Sequence, residues 1–421
     1  MDKLVSFCVN TSRNELNHIK LLFKSLEKNL STLEHEIIIF VDSDNQGTTK
    51  WLLTQKQIFP NLKILKNKLS IPYGYQRNIN EMFEYATHEI ISYLQSDMVV
   101  CKNYDIEVLK YLEPNMILCS TRIEPPLHGN SGEKITYDFG LYPETFDLEK
   151  FTQYAEEQKI KKFIKYFFAP FTMYKNVWND IGGHDTMFRR SREDSDILNR
   201  LILSGVNIIQ TWEALVYHFT CTSSRGVDWF NSNNKVASDR ATLQKQADSI
   251  EMKRFIKKWG IFSHGNPVNY FYNINAKIIV DTNNYELLET VESFFNEMCI
   301  SDEKIIKNLP NTQHIANLLL GVEENTWERY SYMYQNCNLQ KYVNDISSND
   351  IVIEFKLSEI NNNNFYSFIN NLQHIIHQTE DLGEFEYENF KIIINKKENL
   401  ILNKIKVKNP EIKPEDKYLI L

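Results

Sequence analysis

Leu4-Val5-Ser6-Phe7-Cys8-Val9, followed by Asn10-Thr11 and then by Leu16, Ile19, Leu22, Phe23 and Leu26, decides the fold class. A short apolar run without polar alternation reads as a strand buried on both faces. The stripe after it, at three- and four-residue spacing, reads as an amphipathic helix starting near Asn14. The pattern repeats outward along the chain. Glu36 to Val41 is a second buried strand, ending at the polar turn Asp42-Ser43-Asp44-Asn45-Gln46-Gly47. Leu62-Lys63-Ile64-Leu65 is a third, and a turn at Tyr73-Gly74-Tyr75 leads into a helix through Met82. Ile90-Ile91-Ser92-Tyr93-Leu94 is a fourth, breaking at Gln95-Ser96-Asp97-Met98. Strands and helices alternating over short connections predict an α/β fold with a mainly parallel sheet covered on both faces. Ligands of such sheets sit beyond the carboxyl ends of the strands, where Asp42 and Asp97 fall.

A second stretch carries chemistry. Ser191-Arg192-Glu193-Asp194-Ser195-Asp196 opens an apolar helical run, with Gly182-Gly183-His184-Asp185 just upstream. Acidic residues at a helix start are stabilised by its free N–H groups and positive end, and they point out of the fold. A solvated, capped helix start is the plain alternative. Tyr217-His218 closes the strand that begins at Ala214, and Thr220 to Gly226 reads as a loop carrying Arg225. Glu124 to Gln158, with Pro125-Pro126, Gly129 and Gly132, reads as an irregular excursion over a site. Two basic-aromatic stretches, Lys161 to Phe168 and Lys253 to Trp259, read as amphipathic helices with core-facing aromatics. The competing reading makes them surfaces for peripheral membrane contact or for an anionic acceptor.

The chain has 421 residues, 42% hydrophobic and 24% charged, which suits a soluble protein of two domains. The first closes near Lys258-Trp259-Gly260, and His264-Gly265-Asn266-Pro267 has linker composition, giving domains 1–262 and 268–421. In the second, Ile278-Ile279-Val280-Asp281-Thr282 and the apolar stripe from Tyr285 to Phe295 repeat the opening strand, polar turn and helix. Ile351 to Lys356 and Phe390 to Ile394 read as strands there, and Phe365 to Ile376 as a helix. A smaller α/β accessory domain is expected, a degenerate second copy of the first being one reading. The net charge of −8 argues against nucleic acid as a partner. Six cysteines without a C-x-x-C pair fit a reducing compartment. With no apolar leader and no run of ~20 apolar residues, a cytoplasmic protein without a transmembrane segment is expected.

Taken in order, seven motifs resemble the family 2 glycosyltransferases, inverting enzymes with the GT-A nucleotide-binding fold, over about residues 3–260. They are Val9-Asn10-Thr11, Asp42-Ser43-Asp44, Gln76-Arg77-Asn78, Gln95-Ser96-Asp97, Gly182 to Asp185, Glu193-Asp194-x-Asp196 and Tyr217-His218. The resemblance implies transfer of a sugar from a nucleotide-sugar donor, a UDP-sugar foremost, to an acceptor hydroxyl with inversion, in surface glycan or polysaccharide synthesis. It implies donor contacts from Thr11, Asp42, Arg77, Ser96, Asp97 and Arg225, with Asp42 on the uracil imide and the arginines suited to the diphosphate. Asp97 and His218 are the implied ligands of a divalent cation, Mn²⁺ or Mg²⁺. Asp194 matches the general base, with Glu193 beside it, and Asp196 is assigned to structure. One departure stands out: Gln95 replaces the first Asp of the family's Asp-x-Asp. Two other readings follow, a catalytically retired glycan- or nucleotide-binding module, and a glycosyltransferase acting on protein or a modified nucleic-acid base. Nucleotidyl transfer is set aside, because Asn10-Thr11-Ser12-Arg13 lacks the glycines of a phosphate loop.

Overall fold

The computed structural model describes residues 3–69, 73–127, 132–188, 191–220, 251–260, 272–301, 341–379, 381–413 and 417–421. These fall into two compact units. The first comprises the described residues within 3–186, 204–220 and 408–421, the second those within 187–203 and 251–407.

The first unit is built on strands β1 (Val5–Thr11), β2 (Glu36–Val41), β3 (Leu62–Lys66), β4 (Ile90–Gln95), β5 (Met98–Val100), β6 (Met116–Glu124), β7 (Lys134–Thr136), β8 (Phe163–Ile164), β9 (Phe171–Tyr174) and β10 (Asn207–His218). Its helices are α1 (Leu16–Asn29), α2 (Thr48–Gln55), α3 (Tyr75–Tyr85), α4 (Tyr104–Lys110), α5 (Leu148–Gln158) and α6 (Lys175–Ile181). β3, β2, β1 and β4 lie side by side and parallel. Antiparallel β9 joins β4 to the parallel pair β6–β10. All six residues of β2 and all but one of β1 are buried, as the unbroken apolar runs require of strands covered on both faces. Ile19, Leu22, Phe23 and Leu26 of α1 pack into the same core as Phe7, Ile37 and Ile39.

The second unit contains α7 (Glu193–Leu203), a helical segment over 251–259, and a six-stranded sheet. Its strands are β11 (Ile274–Ile279), β12 (Glu297–Ile300), β13 (Lys341–Tyr342), β14 (Ile351–Lys356), β15 (Gly383–Tyr387) and β16 (Phe390–Ile394). They are ordered β13-β12-β11-β14-β16-β15, the first four parallel. Helices Tyr285–Glu292 and Asn362–Gln378 cover it through Leu288, Val291, Phe365, Phe368 and Leu372.

Several local expectations are corrected. The stretch after Glu124 is partly regular: β7 pairs parallel with the end of β6, and α5 buries Leu148, Phe151 and Ala155. Asp147 caps α5 by accepting from Lys150 N, the usual role of an acid at that position. Lys161 to Phe168 is not a helix. Phe163–Ile164 pairs antiparallel with Thr211 and Gln210, and Lys162 lies 3.6 Å from the centre of the Trp212 ring. α1 starts at Leu16, because Asn14 takes a left-handed φ of 63° and Glu15 folds back onto Ser12 N. The extreme C-terminus also departs from a single block over 268–421. Leu419–Ile420 pairs with β3, and Asn409 donates to the carbonyls of Gly182 and His184.

Candidate active site

The carboxyl ends of β1, β2 and β4 lie level: Thr11 is opposite Val41 and Asn10 opposite Gln95. Thr11 is fully buried and its carbonyl accepts from Asp42 N at 2.9 Å. The Asp42 carboxylate ties this end to the start of α3, accepting from Asn67 Nδ2 (3.0 Å), Tyr73 N (2.7 Å) and Gly74 N (3.2 Å). Burial pushes its pKa up in spite of these donors. Gly74 has a φ of 89°, which favours a residue without Cβ and lets the chain turn into α3. Arg77, in the first turn of that helix, places its guanidinium 3.6 Å from the centre of the Tyr73 ring. Asp42 and Arg77 are thus brought together through Tyr73.

Beyond β4, Ser96 and Asp97 are both buried. Ser96 Oγ donates to Glu15 Oε2 at 2.9 Å, and Ser12 N donates to the same oxygen at 2.7 Å. Burial drives the Glu15 carboxyl up to about 7; the Ser12 bond opposes that and the Asp97 charge reinforces it. β10 delivers His218 to this place, opposite Met98 of β5, and Phe219 N donates to the Asp97 carbonyl at 3.1 Å. His218 Nε2 stands 3.7 Å from Asp97 Oδ1. Its other nitrogen, Nδ1, lies 2.8 Å from Glu124 Oε1. Glu124 is buried, with Lys134 Nζ at 2.9 Å and Arg122 Nη1 at 3.3 Å. Burial alone would raise the Glu124 carboxyl, but the His218 bond and the Arg122 charge hold it well below the usual carboxylate range. Arg122 in turn lies 3.5 Å from the centre of the Phe168 ring.

These residues fit a hard divalent cation. A carboxylate oxygen and an imidazole nitrogen converge, and Mg²⁺-type sites take only one or two protein donors when substrate phosphates supply others. Among the described residues no group of three His, Cys, Asp or Glu could hold a metal alone. Gln95 Oε1 is buried without a hydrogen-bond partner among the described residues, so the position that replaces the first acid is not satisfied by the fold.

The glycine pair has a steric role. Gly182 ends α6 with a φ of 75°, and Gly183 has a φ of 73°. A Cβ at Gly183 would lie against Asn80 Oδ1 and 2.7 Å from Trp178 Nε1. Asn80 brackets His184, accepting from its N (2.8 Å) and donating to its carbonyl (2.9 Å).

Glu193 and Asp194 belong to the second unit, in the first turn of α7. Arg192, just before them, has a φ of 69°, a left-handed backbone uncommon for a residue with a side chain. Glu193, Ser195 and Asp196 are buried while Asp194 between them is exposed. Asp196 is an anchor, paired with Arg200 Nε (2.8 Å) and Lys258 Nζ (2.7 Å) and accepting from Trp259 Nε1 (2.9 Å).

Thr11, Asp42, Arg77, Ser96, Asp97 and His218 therefore belong to the first unit, and Ser96, Asp97 and His218 form one cluster. Arg225 lies outside the described residues. Sequence reasoning passed over Glu15, Arg122, Glu124 and Lys134. The signal available for two of them was Arg122-x-Glu124 at the end of an apolar strand, two charges on one face next to buried neighbours.

No curated protein matches the chain. Similar solved structures include S. aureus TarS, at 15% identity and a TM-score of 0.39 over 58% of this chain and 43% of that one. GalNAc-T7 with UDP, GalNAc and Mn²⁺ aligns at 12% identity and a TM-score of 0.41, over 58% and 51%. The mannosyltransferase PcManGT from Pyrobaculum calidifontis, in complex with GDP-Man and Mn²⁺, aligns at 14% and 0.40, over 59% and 65%. The chain thus spans less than two thirds of each of these three proteins. Residues 8–191 match the family described as Glycosyl transferase family 2. Over these residues, which carry the parallel strands β1 to β4 and their level ends, the chain is similar to glycosyl transferase family 2.

Proposed function

We propose that the protein transfers a sugar from a nucleotide-sugar donor, most simply a UDP-sugar, to an acceptor hydroxyl with inversion, in surface glycan or polysaccharide synthesis. The observation that carries this reading is the convergence of Asp97 and His218 Nε2, 3.7 Å apart, beyond the carboxyl end of β4. There Asp97 and His218 would hold Mn²⁺ or Mg²⁺, which when bound neutralises the charge growing on the leaving diphosphate. Thr11 and Asp42 would orient the nucleotide. Arg77 would meet phosphate oxygens with its planar fork, and Ser96 would hold the turn that presents Asp97. Asp194, the exposed acid of α7, would take the proton from the attacking hydroxyl, with Glu193 bracing the helix start. A panel of nucleotide sugars assayed by NMR, reading the donor consumed and the anomeric configuration of the product, tests the proposal; retention would remove the single-displacement step.

Gln95 favours a second reading, a retired module that binds nucleotide without turnover. It predicts binding with no transfer or donor hydrolysis across the same panel. We propose that the six-stranded sheet is accessory, a diverged copy of the first arrangement serving acceptor binding or assembly. Among the described residues no helix is long and apolar enough to cross a membrane.

A further inference from the structure

We infer that Glu124 is a positioning residue, which fixes His218 in the tautomer protonated on Nδ1 and so turns an unprotonated Nε2 toward Asp97. The register makes the contact: Tyr217 is opposite Ile123, so His218 follows β10 to the level of Glu124. At 2.8 Å the Glu124 oxygen is the nearest partner of Nδ1. Arg122 Nη1, a donor, is 3.5 Å from the same nitrogen. A carboxylate held between Arg122 and Lys134 can only accept, so Nδ1 must donate to it. That leaves the Nε2 lone pair facing the Asp97 oxygen, two acceptors whose natural occupant is a cation between them. A carboxylate behind a histidine ligand raises its basicity and fixes its ring orientation, and losing such a partner costs metal affinity. Lys134, buried on β7 and opposite Arg122 in the register, binds the second Glu124 oxygen, while Arg122 Nη1 stands 3.3 Å from the oxygen that faces His218.

The consequence for the cation rests on the reading proposed above; the tautomer does not, and the experiment separates them. In full-length protein labelled with ¹⁵N-histidine, at a pH where the ring is neutral, two-bond ¹H–¹⁵N correlations report which nitrogen carries the proton. His218→Gln identifies the signal among the ten histidines. The expected result is an Nδ1–H tautomer in the native protein and conversion to Nε2–H in Glu124→Leu. Lys134→Met, which disturbs the same buried network but keeps the acceptor, should retain Nδ1–H. Mn²⁺ affinity, read by electron paramagnetic resonance without nucleotide sugar, should fall roughly 10- to 100-fold in Glu124→Leu. An Nε2–H tautomer in the native protein overturns the inference, and so does a Glu124→Leu spectrum unchanged at His218, or an equal loss in both variants. If Glu124→Leu does not fold, the native tautomer alone decides. Should the tautomer behave as stated while the native protein binds no Mn²⁺, the positioning role stands and the cation reading fails.

Discussion

The two sheets share one arrangement and differ in what they carry. In the first, β3-β2-β1-β4 are parallel and β9 runs antiparallel beside β4; in the second, β13-β12-β11-β14 are parallel and β16 runs antiparallel beside β14. Both central pairs contain six register partners, Val5–Ile90 to Asn10–Gln95 and Ile274–Ile351 to Ile279–Lys356. By that register Thr11 corresponds to Val280, and Gln95-Ser96-Asp97 to Lys356-Leu357-Ser358. Where the first sheet opens on Asp97 and His218, the second closes on itself: Ser358 donates its N–H (3.0 Å) and hydroxyl (2.6 Å) to Asp281. An arrangement of strands does not make a site; the groups at its strand ends do. The shared order supports reading the second sheet as a diverged copy.

The comparison can be broken in several ways, beginning with the largest expected effect. Asp194→Asn should lower turnover by a factor of roughly 10² or more while leaving donor affinity nearly intact. Steady-state kinetics beside calorimetry would show it, and near-normal turnover would move the base to another group. Gly183→Ala should destabilise the first unit by about 1–3 kcal/mol, since its added carbon meets Asn80 and Trp178 at a backbone angle that favours glycine. Asn409→Ala should cost roughly 1–3 kcal/mol in urea unfolding, because Thr186 N and the Gly182 carbonyl lose their Asn409 bonds and the His184 carbonyl keeps only the one from Asn80. An unchanged midpoint would separate the tail from the first unit.

The smallest effect is a pH dependence. Asp105 accepts from Ser31 N at 3.0 Å and meets His35 Nε2 at 2.9 Å. Burial would raise its pKa, but the His35 and Ser31 bonds outweigh that and hold it low. A depressed folded-state pKa contributes stability that is complete above the unfolded carboxyl value of about 3.9 and lost as pH falls through the folded one. Asp105→Asn should therefore lower the thermal midpoint at neutral pH and narrow the gap in acid. Asp281→Asn, at an exposed carboxylate of the other sheet that the Ser358 bonds also hold low, should move the acid limb less, because solvent screens that contact.

Much of this was legible in the residues. Buried strands β1 to β4 announce themselves as apolar runs, α1 and α3 as stripes, and the polar turns after them as strand ends. The rest was hidden for physical reasons. α2 is short, its sequence Thr48-Thr49-Lys50-Trp51 carries little periodicity, and its start depends on Asp44 accepting from four successive backbone N–H groups. α5 sits in a stretch whose prolines and glycines mask its three core contacts. The pairing of Leu419–Ile420 with β3 joins residues more than 350 positions apart, and no local pattern encodes it. In the site, Asp97 and His218 could be named from motif order. Glu124 and Lys134 could not, because their roles arise only when three strands come into register.

The most direct test of the central claim, that the carboxyl end of the first sheet is the nucleotide-sugar site, is calorimetric titration of UDP into the full chain with Mn²⁺ and with chelator. The native protein and Ser358→Ala should show the same gain in affinity from the metal, and Asp97→Ala should abolish it. Equal affinity with metal and with chelator in the native protein would contradict the account, as would a loss in Ser358→Ala matching that in Asp97→Ala.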